Sequence, residues 1–127
     1  MADMRTPLNR VRGLGSTKSG TSHFWAVRVS SAALLPLSLF VIGLVVSLAG
    51  SSFAEVRATL GQPLVWVPVM LFILISLEHM RLGMQEVVSD YIHNELVKVT
   101  LMMLNSFFVV LVGGICVFSL LKIAFGG

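Results

Sequence analysis

The side chains most able to do chemistry are gathered in residues 77–91, which read LEHMRLGMQEVVSDY. Just upstream, residues 64–77 are apolar at every position except Ser76. A bilayer crossing takes about 20 residues, so a helix that spans here must carry Glu78, His79 and Arg81 into the membrane. Ionisable groups at that depth are costly and mark function by default. At about 100° per residue, His79, Gly83, Glu86 and Asp90 fall on one stripe of such a helix. A neutral imidazole binds metals, and a glycine one turn along leaves room for a flat macrocycle against the backbone. The alternative is structural: His79 bonds a neighbouring helix and Gly83 lets one pack closely.

Asp90 lies about 16 Å along the helix from His79, at about 1.5 Å of rise per residue. If Tyr91 marks the membrane surface, His79 is deep in hydrocarbon, where a metal centre passes single electrons. Asp90 and Tyr91, near water, suit a proton-coupled step: the phenol donates to a quinone carbonyl and the acid orients it or relays protons. Equally, Tyr91 is an interface-belt tyrosine and Asp90 a helix-terminal acid. Glu78 and Arg81, three residues apart, neutralise one another. Arg28 either snorkels to the surface or serves as counter-charge to an anionic group such as a heme propionate.

The elements that must position these groups follow from composition. The chain has 127 residues, of which 56% are hydrophobic, and a formal net charge of +3; its mean hydropathy is +0.92. That is an all-α membrane protein of one domain, since no soluble core of this size absorbs so much apolar surface. Arg5, Arg10, Arg12, Lys18 and Arg28 are opposed only by Asp3, and no carboxylate recurs before Glu55. Such a basic flank stays in the cytoplasm. Nothing in the chain offers an aromatic platform or polar domain for nucleic acid. The single cysteine, Cys116, rules out an internal disulfide or a cysteine-held cluster, and neither a nucleotide-binding glycine loop nor a hydrolytic triad is present. Any chemistry therefore depends on a cofactor or partner chains.

Residues 1–28 read as a cytoplasmic arm, rich in Arg, Gly, Ser and Thr, and residues 29–123 as a three-helix transmembrane domain. The spans fall at about 30–49, 64–88 and 99–121, an estimate from apolar run length. Pro36 removes one backbone donor from the first span, while Ser30, Ser31 and Ser38 offer hydroxyls to an interface or a ligand. Residues 51–63 read as a short outside loop in which Glu55 and Arg57 cancel. Residues 89–98 form a short polar connection, so the second and third spans are antiparallel neighbours. The third span is uncharged and, with Gly113 and Gly114, reads as a packing helix. An odd number of spans puts the C-terminus on the periplasmic side.

The pattern His79-Gly83-Asp90-Tyr91 resembles the second helix of the small hydrophobic membrane-anchor family of succinate dehydrogenase, respiratory complex II. Arg28 followed by Ser30, Ser31 and Ala32 resembles the opening of that family's first helix, and length and span count agree along the chain. The resemblance implies that His79 is an axial ligand of a b-type heme whose iron is shared with the large cytochrome b anchor subunit, with Gly83 and Arg28 beside it. It implies that Tyr91, supported by Asp90, binds ubiquinone. Electrons would come from succinate through two further partners on the inner membrane's cytoplasmic side, a flavoprotein subunit and an iron-sulfur subunit, this chain holding neither flavin nor cluster. Where some relatives carry a carboxylate just before Arg28, this sequence has His23. Two other readings of the residues compete: a small proton-coupled transporter subunit using Glu78, His79 and Glu86, and a non-catalytic assembly protein whose polar groups only pair helices.

Overall fold

A computed structural model describes residues 6–13 and 20–125. The described residues form helices α1 (Pro7–Arg12), α2 (Ser22–Ser47), α3 (Phe53–Leu60), α4 (Pro63–Tyr91) and α5 (Glu95–Phe125), with no strand among them. Helices α2, α4 and α5 have 26, 29 and 31 residues, and each is apolar enough to cross a membrane. At about 1.5 Å per residue each exceeds a hydrocarbon thickness of about 30 Å. Three spans are expected from the sequence, and three are found. Their helices outrun the apolar segments at nearly every end because hydropathy marks only the portion in hydrocarbon, while the backbone ladder continues into the polar zone. Thus α2 begins in the amphipathic Ser22, His23, Phe24 and Trp25 rather than at residue 30. Within the arm, α1 is an additional helical turn; residues 1–5 and 14–19 of that segment lie outside the described residues.

Local chemistry sets the boundaries. The Leu48 N–H caps α2 on the Leu44 carbonyl at 3.0 Å, and Gly50, at φ 86°, turns the chain in a conformation that other residues rarely adopt. The expected loop that follows contains α3. Its N-cap Ser52 forms a capping box: the Ser52 backbone N–H donates to Glu55 Oε2 at 2.7 Å and the Glu55 N–H donates to Ser52 Oγ. Pro63 opens α4 at the position where its missing N–H costs nothing. Between α4 and α5 only residues 92–94 are non-helical, and Asn94 Oδ1 accepts the Val97 N–H at 3.2 Å to start α5.

Helix α4 is the middle of a row. It packs on α2 along one side and on α5 along the other, whereas α2 and α5 do not meet. Gly113 of α5 is buried where a Cβ would come within 3.3 Å of Leu77 Cδ1, so the two helices approach closely there. Asn105 Nδ2 donates to the Arg81 carbonyl at 3.0 Å across the same interface. At the α3 end, Trp66 and Phe125 meet edge to face at 5.8 Å. The two neighbours leave different faces of α4 open in its two halves. Val67, Leu71 and Leu74 are exposed in the first half, and Met80, Met84, Val87 and Tyr91, on another face, in the second.

Candidate functional site

His79 projects from α4 toward α2. Its Nδ1 lies 2.8 Å from Oγ of Ser30, a residue only 9% exposed. Ser30 Oγ also lies 3.0 Å from the Val27 carbonyl. When the serine proton goes to that carbonyl, the imidazole proton sits on Nδ1, and Nε2, which has no hydrogen-bond partner among the described residues, carries the lone pair. An imidazole fixed through one nitrogen with the other left free is the arrangement that metal-binding histidines adopt.

The space beside the ring fits a bulky ligand. A groove of about 510 Å³ is lined by Ser31, Leu34, Leu35, Ser38, Leu39 and His79. A second groove of about 500 Å³ includes His23, Phe24, Arg28, Ser31 and Glu86, so the two adjoin at Ser31. Gly83 is exposed, and a Cβ built on it would meet nothing within 4 Å. No helix among the described residues uses that missing side chain, so the gap is open to something from outside. Arg28 is exposed, its guanidinium 5.1 Å from the centroid of the Phe24 ring, and it lines the second groove. Among the described residues, no three His, Cys, Asp or Glu side chains cluster as a metal site; a metal at His79 needs further ligands from a macrocycle or another chain.

Asp90 and Tyr91 end α4 on its exposed side, and neither side chain makes a hydrogen bond to another described residue; Tyr91 is 76% exposed. Both hydrogen-bonding groups are free to meet a ligand or partner. Glu78 and Arg81 are joined by two hydrogen bonds, Nε to Oε2 at 2.8 Å and Nη2 to Oε1 at 2.5 Å, the pairing their spacing predicts. Glu86 Oε1 instead contacts His23 Nε2 on α2. Glu78 and Glu86 are thus each committed to a different partner, and with His79 they do not form one relay.

The Ser30–His79 and His23–Glu86 contacts join residues that the sequence expectations leave unpaired, although their spacing holds the signal. Ser30 is seven residues after His23 and His79 seven before Glu86, which is the register of two antiparallel helices keeping one face together.

Known proteins resemble this chain over most of its length. The model of the succinate dehydrogenase/fumarate reductase transmembrane subunit family matches residues 2–113. The succinate dehydrogenase hydrophobic membrane anchor subunit of Paracoccus denitrificans is 33% identical over 86 residues, covering 68% of this chain and 67% of the relative. That of Rickettsia bellii (strain RML369-C) is 28% identical over 109 residues, covering 86% and 87%, and that of Rickettsia conorii (strain ATCC VR-613 / Malish 7) is 27% identical over 107 residues, covering 84% and 85%. No solved structure matches.

Proposed function

Because the chain belongs to the succinate dehydrogenase/fumarate reductase transmembrane subunit family, and is a multi-pass protein of a bacterial membrane, we propose that this anchor subunit of succinate dehydrogenase shares a b-type heme with a companion anchor subunit and helps form a ubiquinone-reducing site. The observation that carries the reading is the Ser30–His79 hydrogen bond through Nδ1, which leaves Nε2 unengaged beside a groove and an open glycine. Heme bound there supplies one-electron transfer.

The chain's own residues divide the work by depth. Ser30 positions the His79 ring, and His79 Nε2 would hold the heme iron. Gly83 leaves the backbone accessible to a flat ring, and Arg28 offers a positive charge to a propionate at the polar end of the groove. Leu34, Leu35 and Leu39 line an apolar wall of the groove that would exclude water from a group held by His79. At the end of α4, the Tyr91 hydroxyl donates to a quinone carbonyl and Asp90, one residue before it, accepts and passes protons. The basic N-terminal arm faces the cytoplasm of a cell bounded by this inner membrane, the side on which the flavoprotein and iron-sulfur subunits dock to bring electrons from succinate.

Absorbance of the purified complex tests the heme assignment. The wild-type complex is expected to show a reducible low-spin heme spectrum, and His79→Ala to lose it while the subunits still co-purify. An unchanged spectrum in His79→Ala removes the assignment. For the quinone site, Tyr91→Phe is expected to retain heme and slow quinone reduction by about 10²-fold or more, the usual contribution of a positioned proton donor. Normal quinone turnover in that variant overturns the role of Tyr91.

A further inference from the structure

Leu64, Val67, Leu71, Leu74, Glu78 and Arg81 succeed one another on α4 at alternating steps of three and four residues, the spacing of a seam between supercoiled helices. No other helix among the described residues covers it: Leu64 is 87% exposed, Val67 41%, Leu71 46% and Leu74 45%. The seam ends in the Glu78–Arg81 pair, whose side chains are 48% and 30% exposed near the midpoint of a 29-residue helix. Acyl chains offer nothing to the carboxylate lone pairs and guanidinium N–H groups that the pair leaves unused, so a charged pair facing lipid at this depth is costly. What covers the face must be apolar along the leucines and both donor and acceptor at the charged layer.

We propose that it is a second copy of this chain, with its α4 packed in parallel against the same seam. Copies in one membrane share an orientation, so their identical seams meet in register, leucine layer on leucine layer. At the last layer the pair is complementary to itself: Arg81 of each copy donates to Glu78 of the other while keeping its own, and a polar layer of this kind fixes register. The contact lies away from the open face of the second half of α4 that carries Gly83 and Tyr91. It therefore stands or falls independently of the heme reading.

Disulfide trapping in membranes holding the whole complex tests this. In a Cys116→Ser background, Leu74→Cys and Leu71→Cys are oxidised with copper phenanthroline. The expected result is a thiol-reversible shift of the subunit to the mass of two copies, absent from Phe118→Cys on the exposed side of α5. A chain that stays monomeric, or links to a subunit of another mass, overturns the proposal. The charged layer is tested by co-expressing two differently tagged Leu74→Cys chains, one carrying Glu78→Arg and the other Arg81→Glu. Neither has an internal ion pair, but the two are complementary to each other, so links between unlike tags are expected to exceed those between like tags. Equal proportions overturn the ion-pair contact between copies. The native-charge cysteine variants report even if the charge variants fail to accumulate.

Discussion

Gly83 and Gly113 lie on helices that touch, yet their surroundings differ. A Cβ at Gly113 meets Leu77 Cδ1 at 3.3 Å, whereas one at Gly83 meets nothing. Gly113→Leu is therefore expected to force α4 and α5 apart, at a cost of about 1–3 kcal/mol for overpacking, and to lower the thermal stability of the complex. Gly83→Leu is expected to leave this chain's helix packing intact and to reduce heme content, measured as heme absorbance per mole of complex. Full heme in Gly83→Leu would mean that nothing approaches the glycine. That Gly83 differs from a packing glycine could not be read from its spacing, which serves both uses. The candidate ligand His79 was legible as an imidazole that its helix must bury; the state of its proton was not, because it depends on Ser30, 49 positions away in sequence.

At the scale of elements, apolar runs revealed α2, α4 and α5 but missed α3, because α3 is short and only partly apolar. Its start was nevertheless written in Ser52-Phe53-Ala54-Glu55, a capping-box sequence directly before a helix. The Ser52 backbone N–H, and secondarily its hydroxyl, hold the Glu55 carboxyl below its ordinary value of 4.5. The folded-state pKa is depressed, so the capping contribution is fully present above the unfolded pKa and disappears as pH falls through the folded value. Amide exchange in residues 53–60, corrected for its intrinsic pH dependence, is expected to lose protection below pH 4.5. Glu55→Gln should remove that pH step while α4 and α5 stay protected. If the step persists in Glu55→Gln, another group controls this turn.

As a whole molecule, the chain is a row of three spans with α4 in the centre and little interior of its own. Among the described residues the buried hydrophobic side chains are Leu82, Val88 and Leu120 alone. Composition indicated a membrane protein, but the row itself could not be read from it, since three spans joined by short links fit a closed triangle equally well. An open row leaves the Gly83 and Tyr91 face of α4, next to His79, without a facing helix among the described residues. Of the chain's 3 histidines, His23 is engaged by Glu86 and His93 lies in the link after α4, so His79 alone offers a free ring nitrogen at depth. The proposed contact between copies does not add a second ligand, because its leucine seam occupies a different face. The chain expressed in membranes without companion subunits is therefore expected to insert as helices, seen by far-UV circular dichroism, yet to show no six-coordinate low-spin heme. Co-expression with the companion anchor subunit should restore that spectrum. A low-spin heme on the solitary chain would place both axial ligands within copies of this sequence and would remove the need for a shared site.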